Sequence, residues 1–219
     1  MIFVNFKTYE RGTGTSAVEL TRILEEVSAS NKVKIIPVVQ AADIKEVVTN
    51  SKLEIWVQHT DPVEYGAHTG FILPEAVFED GAMGTFLNHS EHKLENFDIL
   101  EKAHERARSV GLKTLIFAAD LSELKKVVLL SPTFIAYEPP ELVGSKTTSV
   151  ANAMPEVISQ AVEITRENDL PLIVGAGIKS REDVRKSLEL GAVGVAVASD
   201  IVTADYPRRE IMDLVEGFK

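Results

Sequence analysis

The feature that most constrains this chain is a repeated alternation: short apolar or β-branched runs are separated, from one end to the other, by longer amphipathic segments. The runs are 2–6 (IFVNF), 33–38 (VKIIPV), 53–58 (LEIWVQ), 84–88 (GTFLN), 113–118 (KTLIFA), 133–137 (TFIAY), 171–175 (PLIVG) and 193–198 (VGVAVA), eight in all. Several are apolar at consecutive positions, as parallel strands covered on both faces must be. Between them, Ala17, Leu20, Leu24 and Val27 share a helical face, as do Val157, Ala161, Ile164 and Thr165, and then Ile211, Leu214, Val215 and Phe218. Ser180 precedes Asp183 at capping-box spacing, and Gly191 falls where a helix end calls for a left-handed residue. Residues 121–130 allow only a short helix, and 59–70 read as a long loop.

Eight β–α units in 219 residues, with no low-complexity linker or break in composition, predict an α/β fold. The expected form is a closed (β/α)8 barrel, one domain over 1–219 with short helices. An open doubly wound sheet is the alternative, but that fold usually carries a G-x-G-x-x-G turn after its first strand, and here Asn5-Phe6-Lys7-Thr8-Tyr9 follows.

Composition then narrows the chemistry. The chain has no cysteine, which excludes disulfides, thiol nucleophiles, thiolate zinc sites and iron–sulfur ligation, and fits a cytoplasmic protein. The first residues read as a mature strand with no leader pattern, and no run approaches the ~20 apolar residues of a membrane helix. A formal net charge of -10 argues against nucleic-acid and membrane partners, so a bound anion needs a local positive site.

In a barrel of this kind, functional side chains gather at the C-terminal ends of the strands. Asn5 and Lys7 stand at alternate positions where the first run stops, which places both side chains on one side of an extended segment. After the fourth run comes Asn88-His89-Ser90-Glu91-His92-Lys93, followed by the periodic Leu94, Phe97, Leu100 and Ala103. Ser90 reads as an N-cap, which puts His89 at the positive end of a helix and favours neutral imidazole, a hydrogen-bond donor to a developing oxyanion. A metal reading of His89 with His92 lacks a third ligand at useful spacing. After the sixth run, Glu138 ends an apolar strand, where a dry mouth raises its basicity, and Pro139-Pro140 to Gly144 reads as a loop moving as a body between hinges. Glu141 is expected to be exposed. Gly175-Ala176-Gly177 and Ala198-Ser199-Asp200 give two small turns whose backbone amides can approach a phosphate.

These residues together resemble the triosephosphate isomerase family across the whole chain. Its N-x-K stands here as Asn5-Phe6-Lys7, its H-S-E as His89-Ser90-Glu91, and its A-Y-E-P as Ala136-Tyr137-Glu138-Pro139. The short length, the Pro-Pro-Glu loop and the Gly-Ala-Gly turn are most similar to its compact archaeal branch. The resemblance implies a TIM barrel that interconverts dihydroxyacetone phosphate and glyceraldehyde 3-phosphate through an enediolate, with no metal or cofactor. It implies that Glu138 carries the proton, that neutral His89 is the electrophile assisted by Lys7 and Asn5, and that Glu91 orients Lys7 or the histidine-bearing helix. The pairing of a carboxylate base with a neutral imidazole is that family's well-known division of roles. Residues 139–146 would close as a lid, and the phosphate would meet Val143, Gly144, Gly175, Gly177, Ala198 and Ser199 besides Asn5 and Lys7.

Three places depart from the family's commoner pattern: Pro140-Glu141 follows Pro139 where a bulky aromatic is often seen at the lid, Gly177 matches a serine, and Ala198-Ser199 matches paired glycines. The loop 66–70 resembles the family's intersubunit loop, so Thr69 would reach a neighbouring site in a homodimer or a tetramer of the archaeal kind. Two other readings are a Schiff-base aldolase using Lys7 and a non-catalytic phosphosugar-binding barrel.

Overall fold

The computed structural model describes residues 1–139 and 153–219. The expected sheet is present as a closed barrel of parallel strands in sequence order: β1 (Ile2–Asn5), β2 (Ile35–Val39), β3 (Trp56–Val57), β4 (Gly84–Leu87), β5 (Lys113–Ala118), β6 (Phe134–Tyr137), β7 (Leu172–Val174) and β8 (Gly194–Val197). β8 pairs back onto β1 with Phe3 opposite Ala196, which leaves no open edge. Around the barrel lie α1 (Thr15–Asn31), α2 (Ile44–Thr49), α3 (Pro74–Glu79), α4 (Phe97–Ser109), α5 (Leu121–Val127), α6 (Pro155–Arg166), α7 (Arg181–Glu189), α8 (Ser199–Val202) and α9 (Pro207–Glu216). Among the described residues, no helix is long and apolar enough to cross a membrane.

The period of two along each strand divides the core into two shells. Outward-facing Ile2, Val4, Ile35, Val39, Ile116 and Val174 pack with the inner faces of the helices, and Ala17, Leu20, Leu24 and Val27 of α1 are buried there as their spacing predicts. Inward-facing Phe3, Ile36, Val38, Trp56, Phe86, Leu115, Phe117 and Ile173 fill the barrel. Each such side chain stabilises the fold by roughly 1.5–3 kcal/mol on burial. Aromatic rings form a column inside it: Phe3 meets Trp56 edge-on at 5.1 Å and Phe86 at 5.7 Å, and Phe86 meets Phe117 at 4.9 Å. Trp56 fits because its neighbour across the β3–β4 ladder is Gly84, where an added Cβ would stand 2.4 Å from the indole.

A charged cluster closes the N-terminal end of the barrel. Glu54 accepts from Lys34 Nζ at 2.6 Å, Lys113 Nζ at 2.9 Å and the Trp56 indole N–H at 2.9 Å. Burial alone would raise the Glu54 pKa, but these donors outweigh it and hold the carboxyl down at about 2.

Two local expectations are corrected. The buried face of α6 is Ile158, Ala161, Val162 and Thr165, while Val157 and Ile164 are half-buried, so the apolar stripe is turned by about one residue. Ser90 caps no helix: residues 90–96 are a non-helical loop, and α4 starts only at Phe97, capped by Asn96 Oδ1 accepting the Ile99 N–H at 3.0 Å. Leu94 therefore precedes the helix whose stripe it extends in the sequence. The capping box at Ser180 and Asp183 is present, and Gly191 has φ +103 just beyond α7.

Candidate active site

The C-terminal ends of the strands surround a cavity of about 190 Å³. Asn5, Lys7, His89, Glu91, Glu138, Gly175, Gly177, Ala198 and Ser199, all singled out by the sequence, line it together. Its floor is Phe86 and Phe117 from the aromatic column, so the packed barrel core leads directly into the site. Val143 and Gly144, with the expected lid beyond Pro139, lie outside the described residues. Thr69 does not line this cavity and is exposed.

Asn5 and Lys7 reach the same cavity by a different route from the one expected. β1 stops at Asn5, and Lys7 adopts φ +47, so the segment between them is a turn and not an extension. The Asn5 side chain stabilises that turn by accepting the Lys7 N–H through Oδ1 at 3.0 Å. Lys7 Nζ then extends to Glu91 Oε1 at 2.7 Å.

His89 is buried, with its ring edge-on to Phe117 at 4.7 Å. Burial pushes its pKa down to about 4, with the Glu91 carboxylate opposing the shift and Lys7 and Lys93 adding to it. The neutrality expected from a helix terminus is therefore present, but desolvation causes it. The tautomer follows from the backbone: the Glu91 N–H donates to His89 Nδ1 at 3.1 Å, which leaves the ring proton on Nε2, the nitrogen turned toward Glu138.

Glu138 follows β6 directly and is 5% exposed. Burial raises its pKa to about 8, against a hydrogen bond from Ser90 Oγ to Oε2 at 3.1 Å that lowers it. Gly175 gives this carboxylate room, since an added Cβ would lie 3.2 Å from Glu138 Oε1. Ser90, which reads in the sequence as a cap, is thus a partner of the buried acid. Asp200 also lines the cavity, 3.8 Å from Lys179 Nζ, although the sequence gives it no signal beyond a place in a small turn.

The barrel and its mouth define an enzyme class: a neutral imidazole donor and a high-pKa carboxylate face one small polar cavity, the equipment of proton transfer at carbon next to a carbonyl. The chain belongs to the triosephosphate isomerase family, whose model, described as triosephosphate isomerase, matches residues 1–216. Among similar proteins, the triosephosphate isomerase of Saccharolobus solfataricus is 41% identical over 216 residues, covering 98% of this chain and 94% of the relative. That of Methanocaldococcus jannaschii is 37% identical over 218 residues, covering 99% of each. The crystal structure of the Bartonella henselae triosephosphate isomerase superposes with a TM-score of 0.78 at 18% identity, covering 99% of this chain and 98% of that one, a likeness of fold.

Proposed function

We propose that this protein interconverts dihydroxyacetone phosphate and glyceraldehyde 3-phosphate, as a glycolytic and gluconeogenic isomerase in the cytoplasm, with residues 1–219 acting as one domain. The observation that carries the assignment of roles is the facing pair of His89 Nε2 and Glu138 Oε2, 3.4 Å apart, with pKa values displaced in opposite directions by burial. Glu138, as carboxylate, takes a proton from the carbon next to the carbonyl and returns it to the neighbouring carbon. His89 donates its Nε2–H to the oxygen on which charge develops, and so stabilises the enediolate without giving up a full proton. Lys7 supplies positive charge beside that oxygen, held by Glu91 and by the Asn5 turn.

The phosphate is assigned to the turns that carry Gly175, Gly177, Ala198 and Ser199. Backbone N–H groups can bind a dianion whatever the net charge, which resolves the conflict between an anionic substrate and a chain of net charge -10. A coupled assay of the metal-free protein with glyceraldehyde 3-phosphate tests the roles. Glu138→Ala should lower kcat by about a thousandfold or more, and Glu138→Asp by less. Turnover of Glu138→Ala close to wild type would refute the reading.

A homodimer, or a tetramer built from such dimers, is part of the proposal. Tyr65 and Phe71, 69% and 54% exposed, flank the exposed 66–70 loop, and two exposed aromatic side chains beside Thr69 support a subunit contact. A second cavity runs from Lys7 and Glu91 past Gln58, His59 and His92 to Ile72, and it offers a place for the partner subunit's Thr69. Sedimentation equilibrium gives the mass directly, and a monomer at assay concentration would overturn this part.

A further inference from the structure

We infer that Glu123 is a positioning residue for the site, because it holds both ends of the loop that carries His89; this rests on the roles proposed above for His89 and Glu138. Glu123 lies in the first turn of α5, where its own N–H is capped by Asp120 Oδ1 at 2.8 Å. Its Oε1 accepts from Asn88 Nδ2 at 2.8 Å and from Lys93 Nζ at 2.7 Å. Its Oε2 accepts from the Ala119 N–H and again from Lys93 Nζ, both at 2.7 Å. A carboxylate offers about four lone-pair sites, and these contacts use them all.

Asn88 and Lys93 bracket the three residues that touch the site. His89 faces Glu138, Ser90 donates to Glu138, and Glu91 binds Lys7. Asn88 is buried in the left-handed region at φ +61 and closes the bracket from within: its Nδ2 also donates to the Phe117 carbonyl at 3.0 Å, and its Oδ1 accepts the Leu94 N–H at 3.3 Å. The loop is therefore clamped to β5 and α5 at its start and finish. His89 packs on Phe117 of β5, so the clamp and the ring share one support. An exposed Lys–Glu pair holds little by itself, but this carboxylate also binds a buried side-chain amide and a backbone N–H, so the loop cannot shift without breaking several contacts.

Replacing Glu123 by glutamine keeps its shape but leaves one acceptor oxygen, so an amide NH2 must face either Asn88 Nδ2 or the Ala119 N–H. The expected result for Glu123→Gln is a fall in kcat of about tenfold with KM within about twofold, since the ring's aim matters more as charge develops than on binding. A smaller folded fraction would also lower apparent kcat at constant KM, so the discriminating readout is a double-mutant cycle with His89. In a His89→Gln background the same substitution should cost less than about twofold, because there is no longer a ring to aim. Equal penalties in both backgrounds, or kcat within about twofold of wild type for Glu123→Gln, would overturn the inference. If Glu123→Gln does not fold, Lys93→Met removes the exposed partner of the clamp and is read by the same cycle. Full turnover of His89→Gln would refute the role given to His89, and this inference with it; a large penalty at His89 and none at Glu123 refutes the inference alone.

Discussion

His89 Nε2 stands 3.4 Å from Glu138 Oε2, and the contact joins two neutral groups instead of an ion pair. The imidazole stays unprotonated down to about pH 4, and the carboxyl keeps its proton up to about pH 8, because both are buried in one apolar-floored mouth. Desolvation disfavours the charged form of each, so a base and an acid are moved in opposite directions by the same cause.

The pH profile of kcat/KM should carry this. The empty enzyme must lose the Glu138 proton before it can act as base, so activity should rise with pH along an acid limb set by a carboxyl held near 8, far above its ordinary 4.5. Ser90→Ala removes the hydrogen bond that lowers this pKa, so its limb should move to higher pH. A Ser90→Ala limb at lower pH would count against the geometry.

Stability should follow the same shifts. The folded chain holds the Glu138 proton up to about pH 8 while the unfolded chain releases it near 4.5, so this contribution is complete below 4.5 and is lost as pH rises through 8. Glu138→Gln should therefore gain in thermal midpoint over wild type at pH 9 relative to pH 5. For His89 the folded pKa is depressed from 6.5 to about 4, so its contribution is present above 6.5 and is lost as pH falls through 4. Midpoints of His89→Gln and wild type, measured from pH 7 to pH 4, should show the substituted protein losing less.

Gly175→Ala should damage turnover more than folding. The new Cβ would press on Glu138 Oε1 at 3.2 Å and on Glu138 Cβ at 3.4 Å, displacing the carboxylate by a few tenths of an ångström. A fall in kcat of about tenfold is expected from such a misplacement, with a nearly unchanged melting point. Wild-type kcat would show that the carboxylate's position is not set there.

At the other end of the barrel the pattern should reverse. Glu54→Gln weakens the acceptor that Lys34, Lys113 and the Trp56 indole share, and should cost about 1–3 kcal/mol of stability at pH 7 without altering kcat. Because the Glu54 pKa is held at about 2, the difference from wild type should shrink as pH falls below 4.5 toward 2. Denaturant titrations at pH 7 and pH 3 measure it.

Much of this is legible in the chain because it is local. Runs of Val, Ile and Phe at consecutive positions mark strands covered on both faces, and Ser180 with Asp183 marks its helix start, since each needs only neighbours a few residues away. The motif residues Asn5, Lys7, His89 and Glu138 are legible by type and by position at strand ends, and one cavity gathers them. Ser90 misleads because its nearest apparent use, capping a following helix, competes with a partner 48 residues away. Glu123 gives no signal, since its partners Asn88 and Lys93 lie 35 and 30 residues earlier in the chain.

The sequence by itself determined the order of strands and helices, the residue types at the barrel mouth and the family. The tertiary structure alone decided which groups are neutral, which nitrogen of His89 carries the proton, and what holds its loop. Those depend on burial and on contacts between strands far apart in sequence, and desolvation acts only once the barrel has closed around the side chains.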